Sequence, residues 1–230
     1  VRAVRGDCKE DRQEEGQEKA IDIFWGVFMS KKRRYEAVAF ASEIKNAGDP
    51  DPAHGSHVTM LALSLFDELK SIHGLGKVER RLLEISAMLH DIGWSSVGAE
   101  SSGHHKLSGK LIQALDIPGL SKLDTSLCAL IARYHTKAIP DALRHKRFAL
   151  LNAKQRNTVE WLAGMLRVAD AFDCRHLKNV RGIACAINGS TLNIRIECLN
   201  DDCLPEIGKA VEKQTLLVKK AGKNIEYICS

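Results

Sequence analysis

The chain has 230 residues, 44% hydrophobic and 27% charged, with a net charge of +5. Those values suit one hydrophobic core, or a main domain with a small appendage, and the modest charge alone gives no case for DNA binding. Seven cysteines, an odd number without CxxC spacing, argue against a disulfide framework or a zinc ribbon and read as reduced thiols of a cytoplasmic protein.

Residues 1–34 mix acids and bases with little periodicity and are expected to be an N-terminal arm or the remnant of a preceding domain. Their apolar run, Ile21–Met29, is too short to span a bilayer and carries Asp22, so neither a membrane segment nor a signal peptide is expected. Tyr35–Ala47 reads as a short helix stopped by Gly48-Asp49-Pro50-Asp51-Pro52. Asp51 then caps a long helix with Pro52 at its first position, and Val58, Leu61, Ala62, Leu65 and Leu69 form its apolar stripe. A third helix is predicted over Lys77–His90 and a fourth over His104–Asp116, separated by a Gly/Ser-rich loop from Ile92 to Gly103. Ser121 caps a fifth helix running to about His135. Residues 136–152 read as loop with short helical pieces, and Asn152 opens a sixth helix that reaches Asp170. After Val180 the pattern changes. Ile183–Ile187 and Leu192–Ile196 read as a hairpin around Asn188-Gly189-Ser190, followed by a helix over Leu204–Lys220 and a strand over Asn224–Cys229. The fold class expected is mainly α, a helical bundle over residues 35–180 with a small α/β subdomain over 181–230.

Six residues carry the chemistry: His54, His90, Asp91, His104, His135 and Asp170. Most stand at the end of an apolar helical stretch or inside one, where imidazole and carboxylate groups are costly unless something binds them. On a helical wheel Val58, Leu61 and Leu65 lie within roughly 40° of His54, while His57 lies about 60° away, so His54 is the expected ligand and His57 sits beside it or on the surface. Asp91 has two carboxylate oxygens and is the expected bridge between two cations. Asp170, among Ala169, Ala171 and Val168, needs a cation or a basic partner; a salt bridge to Arg167 or Arg175 is the structural alternative. Asp173 is read either as holding a site residue in place or as a surface cap. His104 and His135 would complete a second metal position with Asp91, and these three are the expected catalytic residues. His105, Lys106, Arg133, Lys137 and Arg167 are candidate phosphate contacts. A basic stretch from Arg133 to Arg156 is read either as a surface for an anionic substrate or as a solvated face.

Several stretches together resemble the HD superfamily of metal-dependent phosphohydrolases, and more narrowly the C-terminal HD-like domain of the Ppx/GppA (exopolyphosphatase/guanosine-pentaphosphatase) family. They are His54-Gly-Ser-His-Val-Thr-Met-Leu, Ala87-Met-Leu-His-Asp-Ile-Gly93, Ser102-Gly-His-His-Lys-Leu-Ser108, Ile131-Ala-Arg-Tyr-His-Thr-Lys-Ala-Ile-Pro140 and Leu166-Arg-Val-Ala-Asp-Ala-Phe-Asp173. The resemblance implies an HD-type bundle that binds one or two divalent transition metals, Mn, Fe, Co or Ni rather than Mg. It implies a phosphorylated small molecule or polyphosphate as substrate. In that family hydrolysis belongs to N-terminal actin-like domains with glycine-rich phosphate loops, which these residues do not contain. Exopolyphosphatase activity is therefore not carried over, and the complete ligand set points instead to hydrolysis by the bundle itself. The alternative is a non-catalytic regulatory or homodimerisation module that binds nucleotide or polyphosphate. Nucleic-acid binding is the weakest reading, because Tyr134, Phe148 and Trp161 are too sparse for a stacking platform.

Overall fold

The computed structural model describes residues 35–94, 103–199 and 203–229. The expected N-terminal arm and residues 95–102 of the loop before His104 lie outside them.

Cap chemistry sets where the helices begin. Residues 35–48 form α1. Asp51 then accepts a hydrogen bond from the His54 backbone N–H and opens α2, Pro52–Glu68, with proline in its first turn. A single turn, α3 (Lys70–His73), closes on left-handed Gly74. α4 is Lys77–Met88, two residues shorter than expected, so His90 and Asp91 fall in the turn that follows it. α5 spans His104–Ala114. Ser121 and Asp124 form a reciprocal cap for α6, Lys122–Arg133. α7 is the single turn Lys146–Ala149, and Asn152 with Gln155 caps α8, Ala153–Ala171. No described helix is long and apolar enough to cross a membrane.

α8 is the axis of the bundle. Val159, Leu162, Met165, Leu166, Val168 and Ala169 are all fully buried, and α2, α4 and α6 pack around them, with α5 against α6. A helix buried on nearly every side must gather its partners from the whole chain. The C-terminal segment supplies two of them. β1 (Val180–Asn188) and β2 (Thr191–Cys198) form the expected antiparallel hairpin, and β3 (Asn224–Cys229) joins β2 in parallel. Between β2 and β3 run α9 (Leu204–Lys213) and α10 (Thr215–Ala221), both packed on α8. The single helix expected over Leu204–Lys220 is thus broken at Gln214. The break seats Leu216 and Leu217 on α8 at Gly164, where a Cβ would come within 3.2 Å of the Leu217 backbone nitrogen. Val180, Leu192, Ile194, Ile196, Leu216 and Leu217 belong to the same apolar cluster as the bundle.

Leu162 is fully buried at the centre of α8. Leu162→Ala should lower unfolding stability by about 2–5 kcal/mol, seen as a lower urea midpoint with an unchanged slope.

Candidate metal centre

Five helix ends meet at one place. His54 stands in the first turn of α2, His90 and Asp91 just beyond α4, and His104 at the start of α5. His135 lies just beyond α6, and Asp170 is in the last turn of α8. Asp91 lies between them and its two oxygens face different partners. Its Oδ2 is 3.5 Å from His90 Nε2 and 3.9 Å from His54 Nε2. Its Oδ1 is 3.4 Å from His104 Nε2 and 3.6 Å from His135 Nε2. Asp170 Oδ1 closes the first group, 3.4 Å from His54 Nε2 and 3.7 Å from His90 Nε2. His104 and His135 bring their Nε2 atoms within 3.1 Å of each other. All six residues singled out from the sequence are therefore brought together.

The protons of these rings follow from their second nitrogens. His90 Nδ1 is 2.7 Å from the Ala87 carbonyl, and His135 Nδ1 is 2.7 Å from the Ala132 carbonyl. A carbonyl only accepts, so each Nδ1 donates, and either ring when neutral turns a bare Nε2 lone pair inward. His54 Nδ1 is held in the same way by Asp173 Oδ2 at 2.8 Å. Asp173 in turn accepts from the Lys178 backbone N–H at 2.7 Å, so this carboxylate positions a site residue and is no surface cap.

Lone pairs aimed at carboxylates repel unless a cation lies between them. His90 Nε2 and Asp91 Oδ1 are both buried without a hydrogen-bond partner, at separations that let neighbouring donors reach one ion at about 2.0–2.2 Å. His54, His90 and Asp91 form one group able to hold a metal ion, and Asp91, His104 and His135 a second. Without an ion, protons substitute. Burial alone would lower His54, but Asp170 and Asp173 overcome it and raise the ring to about 10. Burial likewise opposes His90, and Asp91 and Asp170 raise it. His135 goes the other way, driven by burial to about 3, and stays neutral. Burial would raise Asp170, yet Lys213 above all, with His54 and His90, holds it well below the usual carboxylate range.

Three surrounding residues were not foreseen as partners. Lys213, at the end of α9, pairs with Asp170 Oδ2 and leaves Oδ1 facing the histidines. The basic partner of Asp170 is thus neither Arg167 nor Arg175, and no periodicity signals a lysine 43 residues away. Arg175 is committed to Glu206 at 2.8 Å. His176, with φ of 58°, stacks on His54 at 4.0 Å and meets Asp51 Oδ2 at 2.7 Å. Gly93 draws the turn bearing His90 and Asp91 onto α5. A Cβ there would sit 2.5 Å from the His104 carbonyl, and its N–H donates to Ser108 Oγ at 3.0 Å.

The candidate phosphate contacts divide. Lys106 and Arg133 line a cavity of about 330 Å³ with Lys110, Arg144, Lys146 and Arg147. Its walls come from α5, α6 and the segment around α7, and none of the six candidate metal ligands lines it. His105 is buried, and burial followed by the charges of His104 and Lys106 lowers it to about 4, so it is neutral. Lys137 is exposed and off the cavity wall, with φ of 56°. Arg167 is buried and donates to the carbonyls of Tyr134, Lys137 and Lys213, tying the loop after α6 to the end of α9. Tyr134, Phe148 and Trp161 are all core residues.

The fold and site define a helical bundle whose helix ends gather histidines and carboxylates into groups that could hold a metal ion. Residues 41–206 match the family model described as Ppx/GppA phosphatase, domain III. The chain belongs to that phosphatase family.

Two results are expected from the centre. Asp173→Asn removes the carboxylate behind His54 and should weaken Mn²⁺ binding about 10–100-fold in titration calorimetry. His54 has a folded pKa raised from 6.5 to about 10. In the metal-free protein its contribution to stability is therefore full below 6.5 and is lost as pH rises towards 10. A metal must displace that proton, so the rise in Tm on adding Mn²⁺ should be larger at about pH 8.5 than at about pH 6.

Proposed function

We propose that the protein is a metal-dependent phosphohydrolase of the HD type, acting on a phosphoester or phosphoanhydride of nucleotide, alarmone or polyphosphate kind. The observation that carries this reading is the division of Asp91 between two histidine pairs, His54 with His90 and His104 with His135. His54, His90, Asp91 and Asp170 would hold one divalent cation, and Asp91, His104 and His135 a second. A donor set rich in imidazole favours Mn²⁺, Fe, Co²⁺ or Ni²⁺ over Mg²⁺. Cations bound there supply Lewis acidity towards a phosphoryl oxygen.

The remaining work falls to the chain's own side chains. Lys106, Lys110, Arg133, Arg144, Lys146 and Arg147 make the cavity between α5, α6 and α7 strongly cationic, suited to the charged tail of a phosphorylated substrate. His105, neutral and buried, would contribute a hydrogen bond rather than a charge. Arg167 would act indirectly, by fixing the loop after His135. Lys213 and Asp173 would orient Asp170 and His54.

A second reading has one observation in its favour: the match is to a third domain of a phosphatase family. On that reading the bundle binds nucleotide or polyphosphate, or pairs with a second copy, without hydrolysis. Metal content and turnover on a phosphoester and phosphoanhydride panel, measured on the same sample, separate the two. Asp91→Ala should remove most of the metal and lower turnover about 100-fold or more. Lys110→Gln and Arg147→Gln should each raise KM about 3–10-fold with kcat little changed. Stoichiometric metal with no turnover would overturn hydrolysis in favour of the binding module.

A further inference from the structure

Far along the same α9 that ends in Lys213, three sulfurs meet. Cys198 is the last residue of β2, Cys229 the last of β3, and Cys203 the N-cap of α9. The parallel register of β2 and β3 pairs Ile196 with Cys229 and so brings the two strand ends together. Cys198 and Cys203 are joined as a disulfide, contrary to the expectation that all the cysteines are reduced. Odd count and missing CxxC spacing could not reveal this pair, which joins the end of β2 to the start of α9. Cys229 Sγ lies 3.7 Å from Cys198 Sγ, at contact distance, and ligand atoms of all three lie within 4.8 Å of one another.

The three are not equivalent. Cys229 is exposed and outside the disulfide, Cys198 is half-buried, and Cys203 is buried beneath the start of α9. The buried Asn179 amide lies 3.8 Å from Cys203 Sγ as a hydrogen-bond donor. An exposed thiol in contact with the shared sulfur, and a far sulfur backed by an amide and a helix N-terminus, are arranged as nucleophile, central sulfur and leaving group.

We propose that Cys198, Cys203 and Cys229 form a thiol–disulfide exchange site that moves one covalent tether between α9 and β3. Cys229 gives its proton to solvent and its thiolate attacks Cys198 Sγ. The Cys198–Cys229 bond forms as the Cys198–Cys203 bond breaks, and Cys203 leaves as a thiolate that takes a proton from solvent. The step is an isomerisation and needs no external oxidant. Its consequence travels along α9, whose Glu206 pairs with Arg175 and whose Lys213 pairs with Asp170. With Cys203 released, α9 keeps those ion pairs, the Arg167 bond to the Lys213 carbonyl and its apolar face, but no covalent link. The proposal does not depend on hydrolysis by the centre.

Tryptic peptides read the exchange directly. Cys198 and Cys203 share the peptide from Ile196 to Lys209, and Cys229 lies in the peptide from Asn224 to Ser230. The intact folded chain is incubated without reductant, its thiols are blocked with iodoacetamide, and it is digested and weighed. The wild type should give both the internally bridged peptide and the cross-linked pair of peptides, within about tenfold of one another. Alkylation of Cys203 should match the cross-linked fraction. Cys203→Ser, oxidised with glutathione disulfide, should give only the cross-linked pair, and Cys229→Ser only the internal bridge, with circular dichroism verifying the fold of each. The proposal is overturned if no cross-linked pair forms in either the wild type or Cys203→Ser. It is equally overturned if all three thiols resist alkylation until a chelator is added, which would make them thiolate ligands of a soft metal.

Discussion

The carboxylate of Asp91 is the constraint around which the bundle is organised. Each oxygen meets a different pair of imidazole nitrogens, at 3.5 and 3.9 Å on one side and 3.4 and 3.6 Å on the other. A buried carboxylate without a counter-charge is strongly disfavoured, and neutral rings that present lone pairs to it make matters worse. The fold has therefore concentrated negative potential where only a proton or a metal ion relieves it. Without an ion, the neighbouring carboxylates raise His54 and His90, which favours a proton in that place. Asp170 adds a second carboxylate to one side, which makes the His54–His90 half the more negative of the two.

The same local device is used twice to aim the rings. α4 and α6 each end a residue or two before a histidine, and in each case Nδ1 donates to the carbonyl three residues back, Ala87 for His90 and Ala132 for His135. Carbonyls in the last turn of a helix lack intrahelical partners, so one bond satisfies the helix end and fixes the tautomer of the ligand. At the other ends the chemistry is reversed. Asp51 caps α2 so that His54 lies in its first turn, and Asp173 beyond α8 takes up the proton side of the His54 ring. Helix ends give both the rigidity and the open coordination space that the middle of a buried helix cannot.

Much of this was legible in the sequence because it rests on short-range rules. Pro52 after Asp51, Ser121 before Asp124 and Asn152 before Gln155 mark helix starts, and Asn188-Gly189-Ser190 marks the hairpin. His54 was separable from His57 by its angle to Val58 and Leu61, and His54 alone of the two joins the cluster. What escaped was long-range. Lys213 occupies an ordinary place in the last turn of an amphipathic helix, and only the tertiary path of α9 brings it to Asp170. Arg167 reads from the sequence as a phosphate contact or a partner for Asp170, yet it donates to three carbonyls instead. The approach of Cys229 to Cys198 depends on strand register, which composition does not encode.

The dependence of Asp170 on Lys213 also bears on where the functional unit ends. A boundary near residue 180 follows the change from helical to alternating pattern, but chemistry crosses it. Asp170 is on α8, its ammonium partner is on α9, and Arg167 fastens the end of α9 to the loop after His135. Cutting the chain at 180 would strip Asp170 of its fixed counter-charge, leave Arg167 one acceptor short, and uncover the face of α8 where Gly164 admits α10. The bundle supplies every candidate ligand. The C-terminal α/β segment sets the charge and orientation of one of them, so the centre belongs to both.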